Sequence, residues 1–371
     1  DTDGVRKSAT VSTVLSTVFT IVFSALLAIF MNTILAWMNV PKEIYKDAYL
    51  YILIVVGGLI VVNIYNLLAS IVRALGDSKT PLYFLIFASV LNIFLALLFI
   101  LKFGWGVPGS AIAVVLSQGV SALLCIIYVK MKFPILHTNK EDWFFAFSPR
   151  SFSFALEHLK VGIPMSVQYS ILGIGILIIQ SVCNTFGPDV IAAFTAALRI
   201  EQIATLPMIS FGVALAAYTA QNFGAKNFSR IKEGVNKGSI INITLSIIMT
   251  LLIHFWGSDI VGIFIGKGEK HIIDIARSYL WISTLFYFFL GQIFIFRNAL
   301  QGMGEVILPL SASIAELLVR SFAAIYLAVK FSYYGIFYAG PIAWVSASSI
   351  MAIGYYTNLL RIVKKARVKL R

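Results

Sequence analysis

Ten long apolar runs, separated by short clusters of Pro, Gly and charge, set the pattern of this chain. They cover residues 9–38, 48–72, 81–101, 108–130, 161–186, 190–220, 239–265, 272–300, 306–330 and 336–361. Each is long enough to carry a helix across a bilayer core, which takes ~20 apolar residues. The pattern predicts an all-α polytopic membrane protein. One run is unusual. Phe194 to Ile231 places Arg199 and Glu201 inside an apolar helix and then ends in the basic stretch QNFGAKNFSRI. Ionisable groups are costly at membrane depth and usually serve function there.

Composition agrees with the pattern. The chain is 59% hydrophobic and only 12% charged, against about 25% charged residues in an ordinary soluble domain. The net charge of +13 would suggest nucleic acid in a soluble protein, but here the basic residues lie mostly between apolar runs, as an orientation signal does. No nucleic-acid partner is expected. Of the 29 Lys and Arg, one set of alternate connections with both chain ends holds 20, Arg297 among them, and the other set holds six; Arg199, Arg277 and Arg320 lie in spans. That bias predicts cytoplasmic chain ends in a plasma-membrane protein. Cys125 and Cys183 both fall within apolar runs, so neither a disulfide framework nor a metal site is expected.

The two halves of the chain repeat. Val5, Lys7, Leu15, Ser16 and Thr20 match Val235, Lys237, Leu245, Ser246 and Thr250, and Tyr49, Leu50 and Ile52 match Tyr279, Leu280 and Ile282. Gly76, Asp77, Pro81 and Leu82 match Gly304, Glu305, Pro309 and Leu310. The two copies run in the same direction, which predicts parallel repeats about an axis along the membrane normal. The expected organisation is an N-terminal lobe over 1–130, an interfacial linker over 131–155 rich in Trp, Phe and basic residues, and a C-terminal lobe over 156–371 with a basic cytoplasmic tail. In the second copy two spans, from Leu156 to Gly234, precede the position matched by Val5, and nothing in the sequence fills the corresponding place in the first. The expectation is therefore of a four-helix lobe and a six-helix lobe here, with twelve helices in a longer protein.

Four stretches carry a family resemblance: YNLLASIVRALGDSKTP (Tyr65 to Pro81), LNIFLALLFI followed by GWGVPGSAIAVVLSQ (Leu91 to Gln118), GIPMSVQ (Gly162 to Gln168), and the Phe194 stretch through QNFGAKNFSRI. Together and in this order they resemble the multidrug and toxic compound extrusion transporters, over essentially the whole chain. The resemblance implies two lobes and ion-coupled export, against protons or sodium ions, of amphiphilic and often cationic compounds by alternating access. It also implies a coupling carboxylate in the family's first helix and, in some members, another in the span aligned with LNIFLALLFI. This sequence has Ala96 at the latter position and no acidic residue in any span before the linker, so the resemblance does not carry the coupling ion across.

Polar side chains inside spans are the functional candidates. In the first half Tyr65, Asn66 and Asn92 offer the uncharged oxygens of a cation site, interhelical hydrogen bonding being the alternative role for such residues. In the second half the cavity candidates are Gln168, Gln180, Arg199, Glu201, Glu316 and Arg320. Glu316 and Arg320 stand four apart on one helix face and are expected to pair. Arg199 and Glu201 point about 200° apart, so Glu201 must find its partner on another helix. His254, alone in its span, is expected to be packed or interfacial.

No Walker spacing, HExxH, CxxC or GxSxG occurs, so an enzyme, an ATP-driven pump and a bound cofactor are not expected. The partners are the lipid bilayer and small amphiphilic molecules, with a monomer as the expected state. Two other transport classes share the hydropathy pattern: a flippase of lipid-linked sugars, whose cavity should be lined with many basic residues, and a passive channel.

Overall fold

The computed structural model describes residues 2–37, 42–266 and 268–368. Lys267 of the less basic set, and Lys369 and Arg371 of the basic tail, lie outside the described residues. The described chain is all helix, with short 3-10 and π turns: α1 (Thr2–Ile29), α2 (Met31–Trp37), α3 (Lys42–Ala74), α4 (Lys79–Leu97), α5 (Gly106–Lys132), α6 (Lys140–Ala146), α7 (Phe152–Cys183), α8 (Pro188–Gly224), α9 (Phe228–Ile265), α10 (Lys270–Leu285), α11 (Tyr287–Gly302), α12 (Ile307–Phe331), α13 (Tyr333–Phe337) and α14 (Ala339–Val368). Among the described residues nine spans are long and apolar enough to cross a membrane, and a pair bent by 53°, α10 with α11, makes a tenth. The ten predicted runs are these ten spans. Several helices outrun their hydropathy, α9 starting at Phe228 rather than at 239, because backbone hydrogen bonding continues past the hydrocarbon edge into charged turns such as Lys232 to Lys237.

Large apolar side chains remain exposed along the spans. On α12, Leu318, Phe322, Ile325 and Val329 form a stripe at helical spacing, all more than half exposed. Such a stripe would be an aggregation site in water; in hydrocarbon it faces a solvent of its own polarity.

The chain divides into two compact units, 1–159 and 160–371, the boundary falling inside α7. In the first unit α3 packs between α1 and α5, and α5 also holds α4. The residues of the 131–155 segment bind back onto α1. Asp142, on the short helix α6, accepts the Asn139 amide at 2.8 Å and pairs with Arg6 at 2.6 Å. Burial opposes its charge, but the Asn139 amide and the Arg6 guanidinium hold its carboxyl below the ordinary range. Lys7 lies over the Phe145 ring, 5.3 Å from its centroid.

The second unit has one continuous core, built by α8, α9, α10, α11, α12 and α14. The repeat is visible in its element ends. Lys42 and Ala74 bound α3, and Lys270 and Gly302, each 228 residues later, bound the α10–α11 pair; Lys79 and Ile307, at the same separation, begin α4 and α12.

The helix corners of the two copies share one chemistry. Gly76 (φ +101°) and Gly304 (φ +81°) take the left-handed conformation that ends a helix. The next residue's amide closes back on the helix, Asp77 to the Val72 carbonyl at 3.1 Å and Glu305 to that of Leu300 at 2.9 Å. The same residue's carboxylate then caps the following helix, Asp77 accepting the Lys79 and Thr80 amides and Glu305 those of Ile307 and Leu308. Asn227 repeats the device between α8 and α9, its amide reaching the Asn222 carbonyl at 2.8 Å and its side chain accepting the Arg230 amide.

The Tyr128 hydroxyl, 2.6 Å away, and then the Thr80 amide hold the Asp77 carboxyl at about 2, below its ordinary 3.8. A carboxyl depressed on folding stabilises above its unfolded value, and that contribution is lost as pH falls from about 4 through about 2. Asp77→Ala is therefore expected to cost about 1 kcal/mol near neutral pH, as loss of an N-cap does, and the difference from the parent should be clearly smaller at pH 2, where the carboxyl is half protonated. A thermal unfolding series in detergent at the two pH values checks both statements; a cost as large at pH 2 as at neutral pH would mean that the carboxylate is not its source.

Among the described residues one predicted span is sharply bent. The run 272–300 was expected to be a single helix, but it bends between Leu285 and Tyr287. No proline causes the bend. On α9, Asn242, Ser246 and Thr250, one turn apart, donate to the carbonyls of Gly291 (3.1 Å), Tyr287 (3.1 Å) and Thr284 (2.8 Å). The Thr284 carbonyl, opened where α10 ends, thus has a donor at membrane depth, which is what makes a break there tolerable.

Candidate functional site

The second unit encloses a cavity of about 340 Å³, the size of a small-molecule site. Its wall is mostly apolar and aromatic, with Phe194 and Leu198 from α8, Ile293 and Phe294 from α11, and Trp344 from α14. Into it project Glu201 and Gln202 from α8, Tyr279 from α10, Arg297, Asn298 and Gln301 from α11, and Glu316 and Arg320 from α12. Apolar helices bring these groups together because the long runs bury their small residues against one another, Ala197 on α8, Ala299 on α11 and Ala312 on α12 being fully buried.

Glu201 is half-buried, and its partner comes from another helix: the Tyr279 hydroxyl donates to Oε2 at 3.0 Å. Tyr279 is held by edge contacts with Phe194 and Phe337, ring centroids 5.2 and 5.4 Å away. Glu316 is 3% exposed and forms the expected ion pair with Arg320. It has a second cation, Arg297, whose Nη2 lies 3.7 Å from Glu316 Oε2, within ion-pair range but too far for a hydrogen bond. The Nε of Arg297 and Oε2 of Glu316 are both buried without a hydrogen-bond partner.

The other candidates from the sequence lie apart from this group. Gln168 is buried beneath the cavity, donating to Ser313 Oγ at 3.0 Å and accepting from the cavity residue Gln301 at 2.9 Å. Gln180 donates to Asn184 at 3.0 Å and is not among the lining residues. Arg199 is exposed, with its nearest polar partner Gln202 at 3.5 Å, and does not line the cavity.

In the first unit the three cation-site candidates do not converge. Tyr65 donates to the Pro81 carbonyl at 2.8 Å, at the start of α4, whereas Asn92 lies eleven residues along the same helix, about 16 Å at 1.5 Å per residue. Asn66 is exposed. Tyr65 thus has the interhelical role, and one ion cannot reach both Tyr65 and Asn92. His254 stacks on Trp281 with ring centroids 3.9 Å apart. Among the described residues no group of three acidic, His or Cys side chains is arranged to hold a metal.

Arg297 corrects the charge count. It was counted with the cytoplasmic connections, yet it lies five residues inside the end of α11 and is 8% exposed. The repeat held the missed signal. The separation that pairs Gly304 with Gly76 pairs Arg297 with Ala69, a core position 1% exposed. Tyr279 was missed because its role depends on which helix faces Glu201, and no spacing reports that.

Relatives agree with this architecture. The chain is 31% identical over 309 residues to the probable multidrug resistance protein YpnP of Bacillus subtilis, covering 83% of this chain and 67% of that one. To the probable multidrug resistance protein YoeA of the same organism it is 26% identical over 362 residues, covering 95% and 77%. Among solved structures, the outward-facing conformation of a multidrug resistance MATE family transporter of the MOP superfamily shares the fold with a TM-score of 0.89 at 21% identity, over 98% of this chain and 80% of that one. The family model for MatE matches residues 1–98 and 164–327, and the chain, a multi-pass helical membrane protein, belongs to the MatE family.

Proposed function

We propose that this protein is an ion-coupled antiporter of the plasma membrane that exports amphiphilic, often cationic, compounds by alternating access, with protons or sodium ions as the counter-ion. The single observation that carries the proposal is the cavity of the second unit, an apolar and aromatic chamber in which, among the described residues, Glu201 has a hydroxyl but no cation within hydrogen-bonding distance. A carboxylate placed so in a membrane protein costs free energy unless a cation or a proton visits it. Glu201 is then the residue that exchanges cargo for the coupling ion, and Tyr279 orients it. Residues 1–130 and 156–371 act as the two moving lobes. The segment 131–155, with Phe144, Phe147 and Phe152 largely exposed, lies at the cytoplasmic headgroup surface, and both ends of the given chain face the cytoplasm. Neither ATP nor a bound cofactor takes part.

The test is efflux of a fluorescent cationic dye from proteoliposomes under imposed proton or sodium gradients. Dye movement that follows one gradient and collapses when that gradient is dissipated supports antiport. Dye movement that ignores both gradients would point to a passive channel.

A further inference from the structure

The cluster around Glu316 is absent from the other copy of the repeat. At the separation of 228 residues that aligns α3–α4 with α11–α12, Arg297 corresponds to Ala69, Glu316 to Ala88 and Arg320 to Asn92. Ala69 and Ala88 are each 1% exposed, so the corresponding positions of that copy are buried without any charge. The fold does not require the three charges, and they occur in the copy whose cavity they line.

Their balance is also uneven. One carboxylate faces two guanidinium groups. Arg320 takes the hydrogen bond to Glu316, while Arg297, more than nine-tenths buried, stands 3.7 Å off with its Nε unpartnered. A buried guanidinium with open donors is the side chain best suited to receive a planar carboxylate. Glu201, in the same wall, supplies a separate carboxyl group.

We infer that Arg297 is a docking point for an anionic group of the cargo, so that the cavity of the second unit favours an amphiphile bearing a carboxylate as well as a positive charge over the same scaffold with the carboxylate masked. The cation of such a molecule goes to Glu201, its carboxylate to Arg297, and its ring system lies among Phe194, Phe294 and Trp344. This rests on the export function proposed above and narrows its cargo.

The probe pair is rhodamine B, which carries a free carboxylate beside its cationic ring system, and its ethyl ester, which has only the cation. Binding of each to the purified full chain in detergent, read by fluorescence anisotropy, gives a ratio of dissociation constants. Parent protein is expected to bind the acid about tenfold more tightly than the ester, the size of one charge-assisted contact. Arg297→Gln should bring the ratio close to one, and Arg297→Lys should keep part of it. A parent ratio at or below one overturns the inference without any variant, and so does a folded Arg297→Gln protein that keeps the parent ratio. Efflux of the ester separates the two levels: gradient-driven export of the ester with no preference for the acid leaves antiport standing and removes only the role of Arg297.

Discussion

Glu316→Gln is expected to destabilise the protein by about 3–5 kcal/mol, the usual cost of removing one partner from a buried ion cluster. The glutamine keeps the shape of the side chain but leaves Arg297 and Arg320 facing each other with no counter-charge in a wall that is largely apolar. The informative companion is the triple variant Arg297→Ala, Glu316→Ala and Arg320→Asn, which copies the residues of the first repeat. Removing a whole buried cluster is often close to neutral, whereas halving one is not, so the triple variant should recover most of the loss while giving up the preference for a carboxylate-bearing cargo. Thermal unfolding in detergent measures the stability of both variants, and the anisotropy ratio measures the preference. A change below about 1 kcal/mol for Glu316→Gln would mean that water screens the cluster far more than its burial indicates.

The second large effect falls on Glu201. Glu201→Gln preserves the side-chain volume and still accepts the Tyr279 hydroxyl, but carries no charge for cargo or coupling ion to meet. Gradient-driven transport of a cationic dye should fall at least about tenfold, equivalent to about 1.4 kcal/mol, with insertion and unfolding temperature little changed. Tyr279→Phe, which leaves the carboxylate and removes only its hydrogen bond, should give a smaller loss. Parent rates in a normally inserted Glu201→Gln protein would exclude Glu201 from both cargo binding and coupling.

Much of the fold could be seen in the sequence because a bilayer imposes a length and a polarity on every span. The helix corners were legible for a local reason: the glycine and acidic residue at Gly76 and Asp77, or at Gly304 and Glu305, close one helix and open the next within the turn itself. The Glu316–Arg320 pair was legible because four residues on one helix define a face. What stayed hidden depended on neighbouring helices. The bend at Phe286 is accommodated by donors on α9, 34 to 49 residues before the carbonyls they meet, and Tyr279 meets Glu201 across 78 positions. Arg297 was misplaced for a third reason, since hydropathy dilutes one charge near the end of a run and cannot tell a snorkelling arginine from one turned inward.

The α11–α12 corner also bears on how the protein is made. Tyr287–Gly302, 16 residues long, is only the second half of the bent span that α10 begins, and it carries Arg297, a charge that costs up to about 2.5–3.5 kcal/mol within the membrane on insertion scales. Alone, it is a poor candidate for release into lipid from the insertion machinery. Its counter-charge, Glu316, is on α12, beyond a turn of only four residues, 303–306. The two segments are therefore expected to partition as one hairpin, with the arginine neutralised before lipid closes around it, so that synthesis past Glu316 precedes the settling of α11 at its final depth.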